Sequence, residues 1–159
     1  MATKSEKLLA AYARFAQAIS AIPDEKAWEL ALVATGVPTF VAEARPQGAK
    51  PTSSQVVSGL ERGLRDMPNL IGEVDSQWRG AVSKALHDAI AAEYPEFLLL
   101  EAARLERVMA RGEVRTEAEF HLVRHRIDVL EAEPELPEAL SRLYALVEAY
   151  EARTWLGMR

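Results

Sequence analysis

The apolar residues of this chain recur with helical spacing along almost its whole length. Leu8, Tyr12, Phe15 and Ile19 illustrate the pattern, since residues three or four positions apart lie on one face of an α-helix. Prolines, glycines and short polar groups interrupt the pattern and indicate where helices end. The spacing therefore predicts an all-α fold, a compact bundle of about seven helices forming one domain over residues 1–159.

A group of helix-breaking residues lies between the second and third predicted helices. We expect the second helix over 25–34, capped by Asp24 and closed by Gly36. Residues 36–52 hold three prolines and two glycines and are predicted to form a loop, with a short extended segment over 37–42 as an option. That loop is also where the domain could be subdivided.

The remaining boundaries follow from capping residues and prolines. Thr116 and Glu119 have the spacing of a capping box, in which the threonine hydroxyl accepts a hydrogen bond from the third amide and the glutamate reaches back. The expected limits are as follows: 4–21 for the first helix, Ser53 or Ser54 to Met67 for the third, Pro68 to Tyr94 for the fourth, Pro95 to Gly112 for the fifth, Thr116 to Glu133 for the sixth, and Pro137 to about Tyr150 for the seventh.

Composition excludes several classes of protein. The chain has no cysteine, which excludes disulfide scaffolds, zinc fingers, iron–sulfur proteins and thiol enzymes. A net charge of -5 argues against sequence-independent nucleic-acid binding, which requires Lys and Arg to neutralise phosphates. No apolar stretch approaches the ~18 residues of a membrane-spanning helix. We expect a cytoplasmic bacterial protein with no cofactor and no membrane partner.

Two histidines offer the main chemical possibility. His121 and His125 are four residues apart on the sixth helix, the spacing of two helical metal ligands. The helical wheel places them opposite the apolar face, so we expect a solvated stripe and treat them only as weak metal candidates. Arg115 and His121 also resemble the arginine–histidine signature of all-helical HEPN ribonucleases, whose residues activate a ribose hydroxyl and stabilise charge on phosphate.

Charge is distributed unevenly in the C-terminal third. Residues 127–151 contain seven acidic residues and one arginine. We interpret the acidic hairpin as the candidate partner-binding site, formed by Asp128, Glu131, Glu133, Glu135 and Glu138. A secondary basic patch precedes it on the fifth helix, formed by Arg104, Arg107 and Arg111. For both sets, an ordinary solvated surface is the alternative interpretation.

Residues 115–153 form the segment that resembles a known family. Its matching positions are Thr116, Glu117, Glu119, Phe120, Arg126, Ile127, Leu130, Pro134, Leu146, Val147, Tyr150 and Glu151. The segment resembles the helical hairpin at the start of helix-turn-helix antitoxins of the host-inhibition-of-growth type. In that family a DNA-reading domain follows the hairpin, and we expect none in this chain. The resemblance therefore implies partner binding without DNA binding.

The sequence leads to one main functional hypothesis and two alternatives. The main one is a small protein-binding module, such as a toxin-neutralising immunity or antitoxin protein, whose acidic hairpin captures another protein that is itself basic. One alternative is an enzyme, either a metal-dependent hydrolase using His121 and His125 or a ribonuclease using Arg115 and His121. The other is an oligomeric adaptor of phage or secretion origin in which Trp155, expected beyond the last helix, docks between subunits.

Overall fold

A computed structural model of the protein describes residues 2–44, 52–132 and 137–157. Within these ranges the chain forms seven α-helices and no strand, which confirms the predicted fold class. The helices are α1 (Lys4–Ile19), α2 (Glu25–Ala44), α3 (Ser53–Ile71), α4 (Ser76–Glu93), α5 (Glu96–Arg111), α6 (Glu117–Glu131) and α7 (Pro137–Gly157). None of the described helices combines the length and apolar composition needed to cross a lipid bilayer.

Two internal prolines do not end their helices as the sequence suggested. The prediction that the second helix closes at Gly36 was wrong, because α2 continues through Gly36 and Pro38 to Ala44. The start predicted at Pro68 was also wrong, since α3 includes Pro68 and ends at Ile71. In both places the apolar residues beyond the proline pack against the core, and that packing outweighs the single backbone hydrogen bond that a proline removes.

Side-chain caps fix several of the helix starts. The Thr52 hydroxyl, rather than Ser53 or Ser54, begins α3 by accepting from the Gln55 amide at 3.2 Å. The predicted cap of α6 is present, since the Thr116 hydroxyl accepts from the Glu119 amide at 3.1 Å. The Glu119 carboxylate reaches back one residue further than expected and accepts from the Arg115 amide at 2.8 Å.

The core consists of two hydrophobic clusters. The first involves α1 to α4 and the start of α5, around Leu8, Phe15 and Leu64. The second joins the end of α5 to α6 and α7, around Val108 and Ile127. Helix α6 packs on α3 and α4 as well as on α5 and α7. Part of the polar side of α6 therefore faces α4, as the hydrogen bond between Asp128 and Ser83 shows.

Candidate functional site

The predicted acidic residues do not all lie on the surface. Asp128 is buried, whereas Glu131 and Glu138 are exposed. Glu133 and Glu135 lie outside the described residues. The acidic hairpin of the sequence analysis is thus divided, since one of its members faces the interior between α4 and α6.

Asp128 is held by polar groups from two helices. The Ser83 hydroxyl, fully buried on α4, donates to its carboxylate at 3.2 Å, and a guanidinium nitrogen of Arg124 lies 4.0 Å away. Burial raises the pKa of Asp128, while the Arg124 and Arg79 charges and the Ser83 hydrogen bond act in the opposite direction. The carboxylate is therefore a partly compensated interior charge and not a surface contact for a partner.

The histidine stripe faces inward rather than toward solvent. Burial, together with the nearby His87 and Arg126, lowers the pKa of His125 to about 4. The His121 ring lies edge-on to Phe120, with centroids 5.3 Å apart, and its Nε2 is 3.6 Å from the Glu117 carboxylate. The prediction of a solvated stripe was wrong because α6 packs against helices on more than one side, including that of its histidines.

These inward-facing residues line a polar cleft of about 420 Å³. Its polar lining comprises Arg79, Ser83, His121, Arg124, His125, Asp128 and Glu151. A guanidinium nitrogen of Arg79 donates to the Val74 carbonyl at 3.0 Å, which holds that side chain in place. In the described part of the chain, no three His, Asp or Glu side chains come close enough together to hold a metal ion.

The two residues of the ribonuclease resemblance have different surroundings. Arg115 is exposed in the turn before α6, where its Nε lies 3.5 Å from the Glu113 carboxylate. His121 lies one turn into α6 and lines the polar cleft. The Thr116 cap separates them along the chain, as the sequence indicated.

The predicted basic patch is largely occupied by local ion pairs. Arg104 donates twice to the Glu101 carboxylate, at 2.9 and 3.0 Å. Arg111 donates to the Glu113 carbonyl and pairs with the Glu119 carboxylate. Arg107 is exposed. Arg104 and Arg111 are therefore engaged within the chain, and Arg111 also stabilises the α5–α6 turn.

An exposed acidic face lies on α7, and the sequence analysis did not identify it. With ~100° of rotation per residue, Tyr144, Glu148, Glu151 and Trp155 fall within about 60° of one another. All four are exposed, with 37% of Tyr144 and 62% of Trp155 accessible. The nearby Glu131 carboxylate raises the pKa of the Tyr144 hydroxyl, so the end of α6 lies beside this row. We call Glu131, Tyr144, Glu148, Glu151 and Trp155 the α7 acidic face.

Two expectations about aromatic residues are corrected by this face. The helical spacing puts Tyr144 on the same face of the seventh helix as Leu143 and Val147, but Tyr144 lies at the margin of that face, because Leu143 and Val147 occupy the core positions. Trp155 was expected beyond the last helix, yet α7 continues to Gly157 and presents it outward. The spacing of four, three and four residues from Tyr144 to Trp155 was the signal that could have revealed the face.

No known family model, curated protein or solved structure matches this chain.

Proposed function

We propose that the protein is a protein-binding module that captures a basic partner protein on the α7 acidic face. The observation that carries the proposal is the exposed row on α7 in which Tyr144 and Trp155 flank Glu148 and Glu151. Large aromatic residues supply much of the binding energy of an interface, and charges beside them select the partner and accelerate encounter. The row provides both on one rigid helix.

Charge supports a basic partner in particular. Glu131, Glu148 and Glu151 of this face are exposed; Arg124 lies near Tyr144, and Arg142 lies about 160° around α7 from Tyr144 at ~100° per residue. A surface with an excess of one sign of charge raises the association rate of an oppositely charged protein, and salt weakens the effect. Glu138, about 120° away by the same rotation, extends the acidic character toward the end of the hairpin.

The resemblance of residues 115–153 to antitoxin hairpins suggests the class of partner. Helices α6 and α7 are the two helices of that segment, and they carry the whole α7 acidic face. The protein then acts in the bacterial cytoplasm as an immunity or antitoxin protein that neutralises a toxin by covering its basic surface. Nothing in this proposal requires a cofactor.

The test is co-purification from the native host, identification of the protein retained, and reconstitution with that protein in pure form. The double variant Glu148→Lys with Glu151→Lys should lower the association rate at low salt by about tenfold or more, because two charges change sign within the contact. The matched control, Glu73→Lys with Glu106→Lys, makes the same change at two exposed sites outside α6 and α7 and should leave the rate nearly unchanged.

A single variant distinguishes the face from the hairpin end. If Glu138→Lys lowers the rate more than Glu148→Lys does, the partner binds at the end of the hairpin rather than along α7. If no purified partner binds, or if both double variants behave alike, the proposed function is refuted.

A further inference from the structure

Helix α2 is apolar on its outer as well as its inner side. Inward, Ala27, Leu30, Ala31 and Ala34 are buried in the first cluster. Outward, Trp28, Leu32, Val33 and Phe40 expose 58%, 53%, 57% and 72% of their surface. No charged residue occurs between Leu30 and Ala42. A helix that is apolar all round is normally covered on all sides, so the outer side of α2 has the composition of an interface.

The outer side of α2 has a depression between large side chains. Leu32, Gly36 and Phe40 follow one another at successive turns, with Trp28 one turn before Leu32. Gly36 is exposed, and a Cβ built on it would meet no atom within 4 Å. The row therefore has a notch between two large side chains. We call Trp28, Leu32, Val33, Gly36 and Phe40 the α2 apolar face.

We propose that the α2 apolar face binds a second copy of this chain, with the two α2 helices crossing antiparallel at Gly36. In a two-fold dimer the same patch meets itself. An antiparallel crossing centred on Gly36 places the notches opposite each other and sets Leu32 of each copy beside Phe40 of the other. The absent side chain at Gly36 lets the helix backbones approach closely, which suits ridge-and-groove packing.

The size of the face fits a reversible dimer. Its four large side chains expose roughly 450 Å² per copy, given that large side chains bury about 150–250 Å² each, so a pair would bury about 900 Å² from these residues alone. That area approaches the ~1,000 Å² expected of a specific interface, as in a weak association. We therefore expect an equilibrium between monomer and dimer that depends on concentration.

Two other occupants fit the face less well. A helix that binds a membrane surface carries Lys and Arg beside its apolar side, and Lys26 is the single basic residue of α2. A basic partner protein would find carboxylates on α7, whereas Leu30 to Ala42 carries none. The proposed dimer leaves the α7 acidic face free to bind the partner protein. Dimerisation through α2 and partner binding on α7 can therefore be tested independently.

Analytical ultracentrifugation of the full chain tests the proposal with a matched pair of variants. Leu32→Glu should raise the dimer dissociation constant at least ~30-fold, because it places a charge in the apolar contact. Leu99→Glu makes the same change at an exposed leucine of α5 and should leave the constant within about twofold. Circular dichroism of both variants should match that of the wild type, because both side chains are exposed in the monomer.

Cross-linking provides a second, independent measurement. The chain has no cysteine, so Gly36→Cys introduces its only thiol. Two such thiols at the crossing point come within reach of a disulfide, and mild oxidation should give a covalent dimer much faster for Gly36→Cys than for Leu99→Cys. Three results would overturn the proposal: a wild type that is monomeric at every concentration, equal cross-linking of the two cysteine variants, or binding to anionic vesicles by a chain that does not dimerise.

Discussion

Replacing Gly63 with alanine should destabilise the protein when residue 12 is tyrosine and stabilise it when residue 12 is phenylalanine. The Tyr12 hydroxyl, buried between α1 and α3, donates to the Leu60 carbonyl at 2.8 Å. A Cβ at Gly63 would overlap the Tyr12 oxygen and lie 3.5 Å from its Cζ. Burial raises the pKa of Tyr12 to about 12, which is consistent with a hydroxyl enclosed by protein. Gly63→Ala must therefore displace a buried ring.

The expected magnitudes follow from three terms. Alanine in place of glycine stabilises a helix by about 1 kcal/mol. Overpacking the ring costs about 1–3 kcal/mol, and losing the hydrogen bond costs about 1 kcal/mol. In the wild type Gly63→Ala should therefore destabilise the protein by roughly 1–3 kcal/mol. In a Tyr12→Phe background, where no hydroxyl opposes the Cβ, the same change should stabilise it by up to about 1 kcal/mol.

Urea unfolding followed by circular dichroism measures both effects as a double-mutant cycle. The matched control is Gly59→Ala, one turn earlier in α3, where an added Cβ meets no atom within 4 Å. That control should stabilise the protein equally in both backgrounds. If Gly63→Ala gives the same change with Tyr12 as with Phe at that position, the steric argument is refuted.

Three further outcomes are expected from unfolding experiments. The pKa of His125 is lowered from 6.5 to about 4, so the unfolded chain binds more protons than the folded chain between these pH values. The free energy of unfolding should therefore fall by up to about 3 kcal/mol as the pH drops through this window. His125→Gln should flatten this dependence of stability on pH. Ser83→Ala should cost about 1–3 kcal/mol of stability because it removes a buried hydrogen-bond donor. Asp128→Asn should be neutral or stabilising, because it removes a charge whose burial is unfavourable. A large loss of stability with Asp128→Asn would contradict this. Gly112→Ala should cost about 1 kcal/mol of stability, because Gly112 has a φ of 76°, which disfavours alanine. Gly80→Ala in α4 should instead stabilise the protein by a similar amount. Equal effects of the two changes would show that the backbone conformation at Gly112 does not matter.

The fold was predictable because its signals are local. The row from Leu8 to Ile19 lies buried on α1, and Thr116 caps α6 as its position indicated. Local signals failed where tertiary packing competes with them. Pro38 would end an isolated helix, but Val37 and Val41 pack against the first cluster on either side of it, and α2 continues.

The candidate site was less predictable because it depends on how many sides of a helix are covered. A helical wheel shows which residues share a face, but it cannot show that a second face is also buried. His125 and Asp128 were therefore assigned to solvent, and the structure places them between α6 and its neighbours. The reverse error placed Tyr144 in the core, since the wheel gives no measure of where the apolar face of α7 ends.

Helix α6 has a consequence for how the protein opens. It contributes Val123 and Ile127 to the second cluster, which α7 also forms, and it packs against α3 and α4, which belong to the first cluster. Detaching α7 alone would expose Val123 and Ile127 to water while the first cluster stayed intact. Slow amide exchange should therefore persist in α1 and α4 after α7 has exchanged, with α6 following whichever neighbour is last to separate. A partner that covers α7 would suppress this partial opening and so make the protein unfold as one cooperative unit.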